Sequence, residues 1–203
     1  GIHVSPQPAQ RAPILLLGAS RDSAELAASQ GLPYVFSLFI NGDEAIALDA
    51  IETYRQTFRP SPEQAAPHAI LALSVIVADT DEQASALAGE NLSVKIHLNS
   101  GRVLTVATVE QAEEFGRQSN EPFRIEVKEA KVVKGSPASV YEQLSDIRER
   151  FGIDELVVHT VIRNFEQRVR SFELLQRVFV EHGHGNEEDV QASVPTISPV
   201  SAR

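Results

Sequence analysis

Continuous apolar runs separated by stretches of helical periodicity set the rhythm of this chain. Ile14–Leu17 is one such run, as expected of a strand covered on both faces, and it stops at Gly18. Ser20 or Asp22 then caps a helix reaching Gln30, and Gly31 closes it. Tyr34–Ile40 reads as a second strand, with Pro33 at the first position, where strands tolerate proline. Asn41-Gly42-Asp43 is a turn leading into a helix to about Phe58, along which Ile46, Ala50, Ile51, Tyr54 and Phe58 recur at helical spacing. Pro60-Ser61-Pro62 breaks the chain, and Ala69–Ala78, rich in Ile, Leu and Val, is a third strand. Thr80-Asp81-Glu82-Gln83 reads as a capping box opening a helix that carries Ala84, Leu87 and Ala88 and reaches as far as Leu98.

Residues 99–134 fit a plain βα repeat poorly. They hold a polar turn at Asn99-Ser100-Gly101, a short helix around Val109–Arg117 and an extended piece Phe123–Val133. Ser136 and Pro137 then start a helix to about Phe151 that Gly152 ends; Glu155–Thr160 is a fourth strand and Asn164–His182 a last amphipathic helix. From His184 to Arg203 the chain is polar, with Pro195 and Pro199, and reads as a disordered tail.

Four strands separated by helices, with connections long enough for crossovers, imply a parallel α/β sheet. The spacing suits either a doubly wound sheet or part of a (β/α)8 barrel. A four-stranded half-barrel would leave its inner face and two strand edges open, so a further polypeptide or a second copy would have to close it.

The turn after the first strand carries the clearest chemistry. An apolar strand ending at Gly18, followed by small hydroxyl residues that open a helix, can hold phosphate with backbone N–H groups and aligned peptide dipoles. Composition narrows the partners. Lys+Arg of 18 against Asp+Glu of 28 gives a net charge of −10, which opposes non-specific nucleic-acid binding. No apolar stretch approaches the ~20 residues needed to span a bilayer, and no secretory signal is visible, so a cytoplasmic protein is expected. With no cysteine, the chain has no disulfide, thiolate metal site or cysteine nucleophile of its own. It also has no methionine, even at position 1, which leads to the expectation of a fragment or a processed piece.

Leu17-Gly18-Ala19-Ser20 with Ser23–Ala28 and Gly31-Leu32-Pro33-Tyr34 resembles the middle of the bacterial luciferase-like flavin monooxygenases. The similarity continues through Ser37–Asn41, Tyr54-Arg55, Phe58-Arg59-Pro60, Val77–Ala84, Gly135-Ser136-Pro137, Asp154–Val158 and Arg170–Leu175. The resemblance implies a (β/α)8 TIM-barrel fold, of which residues 1–183 would be the C-terminal half, strands five to eight, with 99–134 as an insertion before the last βα unit. It implies an FMN-dependent monooxygenase using reduced FMN, supplied by a separate reductase, and O2 on a small organic substrate. Independent activity of this chain alone is not expected, because the half resembling strands one to four is absent. A homo-oligomer, a dimer or pairing with the missing half would follow. A non-catalytic phosphate- or flavin-binding half-barrel and a deazaflavin-dependent oxidoreductase are the competing readings.

By motif, FMN phosphate would lie against the backbone of Leu17, Gly18, Ala19 and Ser20 and the hydroxyls of Ser20 and Ser23. Phe36 and Leu38 would line the flavin and substrate cavity, or serve as core. His159, at the C-terminal end of the last strand where barrel enzymes work, could donate to a flavin or substrate oxygen or act as acid or base, or simply be a hydrogen-bonded strand-end histidine. His182-Gly183-His184 looks like a metal tract but lacks a third ligand, so no metal is expected. An insertion of the length of 99–134 beside an active face is also a candidate lid.

Overall fold

The computed structural model describes residues 12–89 and 91–183. Its centre is β3 (Ala69–Val77), nine residues of which all but Ala69 are buried. β2 (Tyr34–Ser37) pairs with one side of β3, and β1 (Leu16–Gly18) pairs with the outer side of β2. The other side of β3 is shared end to end. β8 (Glu155–His159) pairs with Ile70–Ser74, and β7 (Val132–Gly135) pairs with Ser74–Val77. All four pairings are parallel, so the C-terminal ends of the strands gather at one end of the sheet. Among the described residues the sheet is open and no barrel closes.

Side chains of a strand alternate between faces, and the register sorts them into two sets. Tyr34, Phe36, Leu71, Leu73, Val75 and Val77, with Leu156 and Val158, form one core with α1 (Arg21–Gln30), α2 (Glu44–Thr57), α5 (Pro137–Phe151) and α6 (Phe165–Gly183). Ser171 of α6 is buried, and its hydroxyl accepts the Val77 amide at 2.8 Å, which fixes that helix to the end of β3. The opposite face carries Leu17, Val35, Ser37, Ile70, Ala72, Ser74, Val157 and His159. At its centre Val35, Ile70 and Ala72 are buried beside Phe39. At its two edges Leu17 is 51% and Val157 43% exposed.

A second, three-stranded antiparallel sheet has β4 (Leu92–Leu98) between β5 (Val103–Val106) and β6 (Phe123–Glu129). Val94, Ile96 and Leu98 face α4 (Val109–Ser119) and bury Ala112. Strand alternation puts Ser93, Lys95 and His97 on the other, polar face.

Local capping places the helix ends where the residues suggest. Ser20 and Ser23 form a reciprocal capping box at α1, and Gly31 ends it in the left-handed region at φ 61°. Gly152 ends α5 in the same way at φ 58°. Thr80 caps α3 (Asp81–Ala88) through the Gln83 amide.

Several expectations are corrected. The first apolar run is an edge strand exposed on one face, not one covered on both: among the described residues no element packs over Leu17, which stays 51% exposed. The second strand stops at Ser37, where the amides of Ile40 and Asn41 both turn back to the Ser37 carbonyl. The helix begun at Thr80 ends at Ala88 rather than Leu98; Leu92–Leu98 alternates in burial as a half-covered strand does. The inserted unit therefore begins at Leu92 and not at residue 99, and its last expected piece divides. Phe123–Glu129 stays in the small sheet, while Val132–Gly135 joins the large one beside β3. The 184–203 tail lies outside the described residues.

Candidate functional site

The turn from β1 into α1 is built around a close approach. A Cβ on Gly18 would fall on the Ser23 hydroxyl and lie 3.5 Å from the Tyr34 ring, so only glycine leaves room for this packing. Ser23 Oγ donates to the Ser20 carbonyl at 2.6 Å, accepts the Ser20 amide at 3.2 Å and meets the Tyr34 hydroxyl at 2.9 Å. The same phenol lies 3.1 Å from the Ser20 carbonyl, and burial pushes its pKa above the usual range. Ser23 is thus committed within the turn. Ser20 Oγ accepts the Ser23 amide at 3.3 Å and keeps its own proton for an outside acceptor, save for a long 3.4 Å contact to Ser23. Helix geometry leaves the Arg21 and Asp22 amides, in the first turn, without intrahelical acceptors. Two amides and one hydroxyl can therefore meet an anion here, fewer groups than the sequence suggested.

Arg21 does not add a free cation: its guanidinium is held by Glu25 and Asp49, each at 3.1 Å. Ala19 contributes its carbonyl, which accepts from Asn41 Nδ2 at 3.1 Å. Leu17 projects from the open face of the sheet. Phe36 is fully buried on the helix-packed face, in edge contact with Tyr34, so a cavity-lining role falls away for it. Leu38, just past the strand, does border cavities.

His159 lies at the C-terminal end of β8 on the open face. Its Nδ1 is 3.2 Å from Ser74 Oγ, and its ring stacks on Phe39 with centroids 4.7 Å apart. Ser37 Oγ on that same face, and Thr160 Oγ1 just beyond β8, are buried without a hydrogen-bond partner among the described residues. His182 Nδ1 lies 2.8 Å from the Val178 carbonyl, and its ring stacks on Tyr141; His184 is outside the described residues. No group of three metal-ligating side chains converges among the described residues.

A cavity of 690 Å³ opens between the loop after β2, the first turn of α2 and the polar face of the small sheet. Asn41, read from sequence only as a turn residue, is its bridging member. Besides the Ala19 carbonyl it meets Lys95, whose Nζ donates to Asn41 Oδ1 at 2.8 Å. Thr105 Oγ1 donates to the Ile40 carbonyl at 3.2 Å from the same side. A neighbouring cavity of 410 Å³ is lined by Glu44, Lys131 and Arg150. Glu44 Oε1 accepts from Lys131 at 2.7 Å and Oε2 from Arg150 at 2.6 Å. These two hydrogen bonds hold the Glu44 carboxyl below the usual range, against a smaller opposing effect of burial. No spacing in the sequence joins residues 44, 131 and 150.

An open parallel sheet flanked by helices, with an anion-suited turn at the C-terminal end of an edge strand, defines an α/β protein. The model of the luciferase-like monooxygenase family matches residues 1–155, and the chain belongs to that family. N-acetyl-S-alkylcysteine monooxygenase of Bacillus subtilis (strain 168) is 34% identical over 170 residues, 84% of this chain and 50% of that protein. The crystal structure of apo-MsnO8 superposes with a TM-score of 0.64 at 30% identity, covering 88% of this chain and 54% of that one. Long-chain alkane monooxygenase LadA shares the fold, with a TM-score of 0.54 at 16% identity over 82% of this chain and 40% of its own. The chain spans about half the length of the curated relatives it matches. Among the described residues no helix is long and apolar enough to cross a membrane.

Because the Glu44 carboxyl is held low in the folded protein, its stabilisation is present above the ordinary carboxylate range and lost as pH falls through the folded value. Glu44→Gln is expected to cost about 1 kcal/mol at pH 7 after solvent screening, and less on acidification. Urea unfolding at neutral and acidic pH checks this; an equal loss at both would contradict it.

Proposed function

We propose that this chain is the C-terminal half of a (β/α)8 barrel in a flavin-dependent monooxygenase that uses reduced FMN and O2 on a small organic substrate. Membership of the luciferase-like family supports the class of chemistry. The Bacillus subtilis relative is named for an N-acetyl-S-alkylcysteine, which supports a small organic substrate in general terms. The half-barrel reading is supported by the open edges at Leu17 and Val157 and by the share of each relative that is matched. As an isolated chain it is expected to turn over no substrate until complementary βα units cover that face.

The observation that carries the cofactor reading is the Gly18 turn. FMN phosphate would be held there by the Arg21 and Asp22 amides and by the Ser20 hydroxyl, with the α1 dipole adding roughly 0.3–2 kcal/mol. Gly18 and Ser23 shape the turn, and Tyr34 braces it from below. Bound flavin would supply the redox chemistry, while the protein positions substrate and keeps water away. His159 would present its Nε2 side to the covered face, its orientation set by Ser74 and Phe39. The inserted unit, Leu92–Glu129, would act as a lid, since two of its polar tethers are Lys95 to Asn41 and Thr105 to Ile40.

Fluorescence titration compares FMN with riboflavin, which lacks the phosphate. FMN is expected to bind about tenfold more tightly, and Ser20→Ala to narrow that ratio several-fold. Equal affinity for the two flavins would contradict a phosphate site in this chain. Limited proteolysis checks the lid: FMN is expected to slow cleavage within 92–129, and unchanged cleavage would rule out closure over the cofactor.

A further inference from the structure

The charge balance of the 690 Å³ cavity is uneven in one place. Its lining includes Asp43, Glu44, Glu126 and Glu129 against Lys95, His97, Lys128 and Lys131. Each carboxylate is already satisfied. Asp43 accepts the Ala45 and Ile46 amides as the cap of α2. Glu44 is bound by Lys131 and Arg150, and Glu129 by Lys134. Glu126 is approached by Lys128 at 2.6 Å, His97 at 3.1 Å and Arg124 at 3.4 Å.

Lys95 is the exception. The ladder places it directly opposite Glu126, where unlike charges ordinarily pair. Its ammonium instead turns to Asn41 Oδ1, and among the described residues no carboxylate lies within ion-pair distance of it. The side chain is half-buried. An ammonium that donates to an amide oxygen rather than to a carboxylate keeps its charge available to an incoming anion. Asn41 also ties it to Ala19, at the mouth of the β1–α1 turn, where Arg21 is already neutralised by two carboxylates.

We propose that Lys95 is the binding cation of this cavity, receiving the carboxylate or phosphate oxygen of a small anionic ligand between the β2–α2 loop and the inserted sheet. The unbalanced charge itself does not depend on the flavin reading. Two sources fit the chemistry, the phosphate of FMN reaching across from the Gly18 turn or the carboxylate of a separate substrate.

The test titrates the full chain and its Lys95→Gln, Lys95→Arg and Lys128→Gln variants with four probes. FMN against riboflavin isolates a flavin phosphate; 4-phenylbutyrate against its neutral amide isolates a carboxylate. Nuclear magnetic resonance shift titration reads affinity, and thermal melting checks that each variant is folded. In Lys95→Gln one anionic probe is expected to weaken about tenfold while its neutral counterpart is unchanged. Lys95→Arg should keep most of the affinity, and Lys128→Gln, already paired with Glu126, should match the parent. Loss for FMN alone assigns the flavin phosphate, and loss for the carboxylate alone assigns a substrate anion. If neither flavin binds any variant, the flavin reading fails while the carboxylate arm still judges Lys95. Unchanged affinity for both anions in folded Lys95→Gln, or no binding of either anion to the parent, overturns the proposal.

Discussion

A strand with hardly an exposed side chain needs cover on both faces, and β3 obtains that cover unequally. Leu71, Leu73, Val75 and Val77 pack under four helices. Ile70 and Ala72 on the other face are also dry, screened by Val35 and Phe39. Burying each large aliphatic side chain is worth about 1.5–3 kcal/mol, so the central column repays the ordering of the strands beside it. The outer columns do not share this. Leu17 and Val157 keep about half their surface in water. An all-parallel sheet is stable when both faces are covered, and this one is covered fully on one face only.

That asymmetry explains where chemistry can sit. Parallel strands bring their C-terminal ends together, and the strand ends and the loops leaving them carry Gly18–Ser23, Asn41–Glu44 and His159. Each of the three does a different job. The first offers amides and a hydroxyl at a helix start. The second links that turn to the inserted sheet through Asn41. The third offers an imidazole whose tilt is set by Ser74 and Phe39. The inserted sheet turns its apolar side to α4 and its polar side to these loops, so its charges belong to the same region as the turn.

Local signals in the sequence carried most of the elements. Ser20, Gly31, Pro137 and Gly152 each mark a helix end, because caps and left-handed glycines depend only on neighbouring residues. Leu92–Leu98 reads as a continuation of the helix that Thr80 opens; Gly89 stops that helix, and the alternation of Val94, Ile96 and Leu98 is the mark of the strand. Val132–Gly135 could not be placed by pattern, since a four-residue strand beside β3 is chosen by long-range pairing. The Gly18 turn was legible as a motif, but not its internal bonding. Ser23 commits its hydroxyl to Ser20 and Tyr34, contacts that no local pattern encodes. Phe36 could be cavity lining or core by pattern alone, because a run without alternation gives no phase; it lies in the core. Asn41, Lys95 and the Glu44–Lys131–Arg150 cluster join residues 54 to 106 positions apart, and spacing has nothing to say about such groups.

The most direct measurement is a 15N–1H spectrum of the protein with FMN and, separately, with riboflavin. The account predicts that the Arg21 and Asp22 amide resonances move with FMN, in the direction of a new hydrogen bond, and stay in place with riboflavin. FMN binding that shifts other amides while leaving those two unmoved would contradict a phosphate cradle at the start of α1.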